Sequence, residues 1–341
     1  MSATDTTEAD EDPIAYFLQD IAYQGKTERT QAAYERVLRS FEAFLDDRDC
    51  TLTAATHRDC MAYVHSLRGT TADSTVATYT SYLHRFYDYM TQVGAFDTNP
   101  MALVIEEVDE TIDTDPARRD VSVPEMRSFV GAIGHPLDRA LIVTLLKTGM
   151  RAGELCNLDQ RDLHLADDPR ESVTVRPQLE GRLDSLYVSA TPARGETVNG
   201  ERRDASNKRQ RDTVIPVDGE LTSVLRQWLA VRPDPVSEAR PLFTGTSDSW
   251  GRRVTTDIVH HTVERHARDA GWYHDGAGAA SNVTPHYFRH FFTTHLRDRT
   301  GDRGIVKYLR GDVAQDVIDT YTHDWGDRVR SVYEQHVYRL L

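Results

Sequence analysis

Thr284-Pro285-His286-Tyr287-Phe288-Arg289-His290 opens a helix and gives this chain its first chemical signal. Pro285 suits the first helical position, because its fixed φ is already helical and its missing N–H would have no partner there. Three residues apart, His286 and Arg289 share one face of the first turn. A helix N-terminus carrying an imidazole and a guanidinium is an anion site, since free backbone N–H groups add to the side-chain charge. Two other readings compete. The segment could be an ordinary polar helix end, or His286 and His290, at i and i+4, could hold a metal. The metal reading lacks the glutamate of the zinc-protease pattern, because position 287 is Tyr.

Working outward, Thr148-Gly149-Met150-Arg151-Ala152-Gly153-Glu154-Leu155 lies upstream. An apolar helix running through Leu141–Leu146 stops at Gly149, a normal C-terminal signal. Arg151 follows in the turn, with Glu154 three residues on. Downstream comes Asp319-Thr320-Tyr321-Thr322-His323. Taken singly, Arg151 reads as a solvated surface group and Tyr321 as one of 15 tyrosines.

The rest of the chain sorts into two halves. Residues 1–12 form an acidic tail with a disordered composition. Residues 13–104 read as a helical domain. In Thr30–Asp46 the apolar positions Tyr34, Val37, Leu38, Phe41, Phe44 and Leu45 make one stripe, and Val76, Tyr79, Leu83, Phe86 and Met90 make another in Ala72–Thr91. Shorter helices fit Ile14–Gln24 and Ala55–Leu67. Residues 105–117, with Glu106, Glu107, Asp109, Glu110, Asp113 and Asp115, read as an acidic linker. Residues 118–341 form the second domain. It begins with helices at Pro124–Ile133 and Leu137–Lys147, followed by short strands at Ser172–Arg176, Leu186–Val188 and Thr213–Val217. Helices return at Gly219–Val231, Val254–Ala270 and Pro285–Arg297, then on either side of Gly311 and over Trp325–Leu341. The expected fold is mainly α with a small antiparallel sheet: an all-helical first domain and an α+β second domain.

In order and separation, the three chemical segments resemble the tyrosine recombinase, or phage integrase, family. Its pattern is Arg in a Gly-x-Arg-x-x-Glu-Leu turn, His-x-x-Arg on a helix, then Tyr-x-His. The resemblance spans nearly the whole chain and implies a SAM-like core-binding domain over 13–104 and a catalytic domain over 118–341. It also implies a lysine in a β-hairpin between the first arginine and the His-x-x-Arg box. Lys208, eight residues before Pro216, fits, and a basic surface turn is the competing reading. By this resemblance the catalytic set is Arg151, Lys208, His286, Arg289 and the nucleophile Tyr321.

Each role has a chemical reason. A tyrosine hydroxyl conserves the phosphodiester as a covalent ester, so rejoining needs no energy source. Two guanidiniums, Arg151 and Arg289, can grip the charged phosphate oxygens bidentately. The resemblance implies Lys208 as proton donor to the leaving 5′-oxygen, while His286 takes or shares the tyrosine proton. Glu154 orients Arg151 from behind. The chain departs from the family at Asp312, nine residues before Tyr321, where a histidine or tryptophan is common. A carboxylate facing the phosphate would repel it, so Asp312 is expected to turn toward a cation, with Arg310, Arg289 and His286 as candidates. The resemblance further implies double-stranded DNA as partner, a homotetramer on DNA, a C-terminal helix that docks on a neighbouring protomer, with docking on its own domain as the competing reading, and no metal or other cofactor. A DNA-binding regulator on the same fold that no longer cuts is the alternative.

Composition bounds these readings. The net charge of −14 is unusual for a DNA binder. Only four of the 40 basic residues are lysine, which together with abundant aspartate suits a high-salt cytoplasm. Near 1 M salt the Debye length is about 3 Å, so distant acidic surface hardly repels phosphate and local arginines decide binding. Cys50, Cys60 and Cys156 are odd in number and widely spaced, fitting neither a disulfide framework nor a zinc site. No apolar run is long enough for a membrane span, and the acidic N-terminus is not a signal peptide, so a cytoplasmic protein is expected.

Overall fold

The computed structural model describes residues 12–107, 118–168, 170, 174–312 and 325–341. The chain divides into two compact units, residues 1–116 and 117–341.

The first unit has five described helices: α1 (Pro13–Tyr23), α2 (Glu28–Asp46), α3 (His57–Leu67), α4 (Asp73–Gln92) and α5 (Met101–Glu107). Their starts are written in the sequence. Asp12 caps α1, accepting from the N–H groups of Ile14 and Ala15, with Pro13 at the first helical position. Thr56 and Asp59 form a reciprocal capping box on α3. The apolar stripes face inward. Val37, Leu38 and Phe41 on α2 and Val76, Leu83, Phe86 and Met90 on α4 are wholly buried around Phe17. Each such side chain contributes roughly 1.5–3 kcal/mol by leaving water. Helix α5 is not apparent from periodicity, and it makes Ile105–Glu107 helical where the charge pattern suggests linker.

The second unit contains α6 (Val123–Gly131), α7 (Pro136–Thr148), α8 (Ala152–Cys156), β1 (Leu163–His164), β2 (Ser185–Val188), β3 (Thr197–Val198), β4 (Glu201–Arg202), β5 (Thr213–Pro216), α9 (Gly219–Val231), α10 (Thr256–Asp269), α11 (Pro285–Thr300), α12 (Arg303–Arg310) and α13 (Trp325–His336). Helix α7 is the core. Every residue from Leu137 to Thr148 except Arg139 is buried, as an all-round apolar helix requires, with α9 and α11 packed along it. A three-stranded antiparallel sheet in the order β1-β2-β5 pairs Leu163 with Leu186 and Leu186 with Ile215. The fold is thus mainly helical with small antiparallel sheets.

Two expectations need correction, and one hairpin adds to the strands named between Leu163 and Val217. Residues 174–176, the described part of the strand expected over Ser172–Arg176, form no strand; the Arg176 side chain pairs instead with Asp162. A two-stranded hairpin, β3–β4, turns at Asn199-Gly200, both at positive φ. Helix α13 ends at His336 rather than Leu341, and the segment after it runs as a non-helical tail. That tail docks on its own unit. Tyr338 and Leu340 are fully buried, and Lys147 Nζ donates to the Tyr338 carbonyl at 2.6 Å. The helix expected after Gly311 lies outside the described residues. Among the described residues no helix is long and apolar enough to cross a membrane.

Candidate active site

The site is assembled where α7 ends, α11 begins and α12 ends. Gly149 terminates α7 in the left-handed conformation, and a Cβ there would stand 2.3 Å from the Phe292 ring. The absent side chain lets the end of α7 abut α11. In consequence the Gly149 carbonyl accepts from Arg289 Nη1 at 2.7 Å. Two residues later Arg151 caps the start of α8, and its backbone N–H donates to Glu154 Oε2 at 3.0 Å.

Two carboxylates organise four guanidiniums here. Buried Glu154 accepts from Arg151 Nη1 at 2.9 Å and from Arg209 Nη2 at 3.1 Å. Asp312 accepts from Arg289 Nη2 at 3.0 and 3.2 Å, lies 3.0 Å from Arg310 Nε, and is reached by Arg151 Nη2 at 3.4 Å. Of the three cations anticipated for Asp312, Arg289 and Arg310 are its partners; His286 is not, and Arg151, not anticipated in that role, joins them. Four positive against two negative groups leave two charges uncompensated. At about 4 Å and an effective dielectric near 20, each attracts a phosphate charge by ~4 kcal/mol.

Burial, then the Arg310 and Arg151 charges, pushes the Arg289 guanidinium down to about 9, which still leaves it cationic at neutral pH. His286 stands in the first turn of α11, after the N-cap Thr284. Desolvation, then Arg118, Arg289, Arg151 and Arg310, hold its imidazole below the usual histidine value. Four cations around this exposed imidazole oppose its protonation. It has no carboxylate partner among the described residues. No group of three or more potential metal ligands occurs among them either.

Lys208 is exposed and unpaired among the described residues, but its loop is anchored beside α8. Asn157 Nδ2 donates to the Ala205 carbonyl at 2.8 Å and to Asn207 Oδ1 at 2.9 Å. The structure therefore brings Arg151, Glu154, Arg289 and Asp312 into direct contact, sets His286 in their field, and holds the Lys208 loop next to α8. Tyr321 lies outside the described residues. Sequence reading missed Arg209 as a member of this cluster. Nothing local in Asn207-Lys208-Arg209-Gln210-Arg211 sets it apart from the other basic residues of that loop.

Comparison with known proteins places both units in one family. Residues 14–94 match the phage integrase N-terminal SAM-like domain, and residues 134–326 match the phage integrase family. Tyrosine recombinase XerC of Pelobacter propionicus is 24% identical over 90% of this chain and 88% of its own length. Tyrosine recombinase XerD of Shewanella oneidensis is 24% identical over 95% of each. Among solved structures, the Tn1549 transposon integrase in complex with a circular intermediate DNA aligns with a TM-score of 0.62 at 20% identity, covering 94% of this chain and 97% of that one. A lambda integrase tetramer bound to a Holliday junction aligns with a TM-score of 0.61 at 14% identity, over 89% and 77%. With more than half of its residues matched by the family's catalytic region, this chain belongs to the phage integrase family of tyrosine recombinases.

Proposed function

We propose that the chain is a site-specific recombinase that cuts and rejoins double-stranded DNA through a covalent 3′-phosphotyrosine at Tyr321. The Tyr321 oxygen bonds to phosphorus as the bond to the 5′-oxygen breaks. The phenolic proton passes to His286, and Lys208 supplies a proton to the departing oxygen. Arg151 and Arg289 hold the phosphate, Glu154 positions Arg151, and Asp312 positions Arg289. The observation that carries this reading is the convergence of buried Arg289 with Arg151 and Arg310 on one small anion-sized position, now held by the Asp312 carboxylate.

The other C-terminal tyrosines support Tyr321 by their unsuitability. Tyr333 and Tyr338 are wholly buried, and their hydroxyls donate to the carbonyls of Lys147 and Leu146. Burial raises both phenols well above their usual range, so neither can serve as a nucleophile. The reading includes a core-binding role for residues 13–107, with residues 108–117 joining it to the second domain, and assembly as a homotetramer on DNA. Strand transfer needs no metal or nucleotide, because the ester is conserved. The acidic composition suits a salt-rich cytoplasm.

The test is covalent trapping on nicked duplexes made from the genomic DNA flanking the gene, followed by sequencing of what is bound. An SDS-resistant adduct that forms in excess EDTA, and that Tyr321→Phe abolishes while DNA binding persists, is expected. An adduct mapped to Tyr333 would overturn the assignment. Binding by the wild type with no adduct on any duplex would favour a non-cutting regulator.

A further inference from the structure

Building on the strand-cleavage reading above, we propose that Arg310 is a third phosphate-binding guanidinium, aimed by Asp312, and so a catalytic residue beside Arg151 and Arg289. Three guanidiniums surround one carboxylate, with Arg289 and Arg310 at 3.0 Å and Arg151 at 3.4 Å. Asp312 needs no third cation as a structural counterion, since Arg289 alone already gives it two hydrogen bonds.

The donors are unequally committed. Arg289 Nη1 serves the Gly149 and Arg310 carbonyls, and its Nη2 serves the Arg310 carbonyl and Asp312. That arginine is locked in place. The Arg310 guanidinium, by contrast, donates no hydrogen bond among the described residues. Its Nε lies at ion-pair distance from Asp312 but out of line for a hydrogen bond, and it is buried without a partner. Its donors are therefore left to offer a ligand, unlike those of Arg289. Its side chain is 30% exposed, so an incoming phosphate can reach it.

The backbone is also fixed. Arg310 is the last residue of α12, and its carbonyl is gripped by Arg289. Its side chain therefore starts from a position set by a phosphate-binding candidate. The charges of Arg310 and Arg151 both press on Arg289, and the single Asp312 carboxylate among them offsets only part of that repulsion.

The test uses the nicked duplex that the wild type is found to cut, in single-turnover cleavage. A second duplex carries a methylphosphonate at the cut site, which removes the phosphate charge. Arg310→Ala is expected to slow cleavage of the native duplex by about 10²- to 10³-fold, the range for losing one donor to a developing oxyanion. Its dissociation constant and melting temperature should stay near wild type, and Arg310→Lys should recover part of the rate. On the neutral duplex the loss should shrink to less than about tenfold. An equal loss on both duplexes, or a loss under threefold on the native one, overturns the inference. Should neither protein cut the neutral duplex, the native loss at unchanged affinity decides alone. If Arg310→Ala fails to fold, Arg310→Gln is scored by the same criteria. A wild type that cuts no duplex overturns the strand-cleavage reading and this inference with it.

Discussion

The Arg209 guanidinium stands 3.1 Å from the Glu154 carboxylate, and neither side chain exposes any surface. The same carboxylate holds the Arg151 side chain and backbone N–H, while Arg209 Nη1 donates to the Leu309 carbonyl at 3.0 Å. One buried ion pair thus ties α8, the loop carrying Lys208 and the end of α12 into a single unit. Arg151 receives its direction from this arrangement, so the proposed phosphate grip depends on a residue that is itself fully buried.

Removing Arg209 should therefore damage both stability and chemistry. Arg209→Gln leaves Glu154 with one cation in a buried place, and losing a partner of a buried pair costs about 3–5 kcal/mol. Urea denaturation measures it. The double variant Arg209→Met with Glu154→Gln should regain most of that stability, because no fully buried charge is stranded and the partly exposed Arg151 keeps Asp312. Cleavage should stay at least tenfold down, since Arg151 has lost its guide. A double variant cutting at the wild-type rate would remove Glu154 from its positioning role.

Gly311 should be nearly irreplaceable. It closes α12 at φ +70°, and a Cβ there would lie 2.2 Å from Arg209 Cγ. The left-handed backbone alone costs about 1–2 kcal/mol for a residue with a side chain. The clash must also push Arg209 off Glu154. Gly311→Ala is expected to lower the denaturation midpoint and to slow cleavage more than it weakens DNA binding. A variant as stable as wild type would show that the Arg209 side chain is free to move aside.

What the sequence made legible was local. The stop at Gly149, the helix start at Pro285 and the stripes of α2 and α4 each rest on spacings of a few residues, and each is found in the structure. Arg209 was hidden because its partners, Glu154 and Leu309, are 55 and 100 positions away. Strands of two residues, such as β3 and β4, are too short for alternation to register, although Asn199-Gly200 marked their turn. The reading of Trp325–Leu341 assumed one continuous helix. The helix ends at His336, and Tyr333, Tyr338 and Leu340 reach the core instead of a uniform face.

Lys147 is the anchor of that tail. It is fully buried, 2.6 Å from both Asp218 and Glu220, and it donates to the Tyr338 carbonyl. Desolvation raises the Glu220 carboxyl, but the Lys147 hydrogen bond and the Leu340 and Leu341 N–H groups outweigh it and leave it below the ordinary glutamate value of 4.5. A depressed folded value contributes stability above the unfolded value, lost as pH falls through the folded one. Lys147→Met should cost about 3–5 kcal/mol at pH 7 by stranding two carboxylates, and it should expose residues 337–341 to carboxypeptidase. It should also flatten the loss of stability below about pH 4.5 that this carboxyl gives the wild type. An equally protected tail in the variant would contradict this account.

The last expectation concerns the protonation state of His286. Desolvation and the charges of Arg118, Arg289, Arg151 and Arg310 depress its imidazole from 6.5, so the free protein carries it neutral at pH 7. A neutral imidazole can accept the tyrosine proton; an imidazolium cannot. Cleavage under subsaturating DNA, which reports the free protein, should therefore rise as pH climbs through a midpoint below 6.5 and level off near neutrality. His286→Gln should remove that limb. Arg118→Ala takes away one of the repelling charges and should move the midpoint upward, toward the ordinary histidine value. The opposite profile, with cleavage falling as pH rises through the same window, would mean that the imidazolium is the working form. His286 would then bind the phosphate through its charge and leave the tyrosine proton to another acceptor.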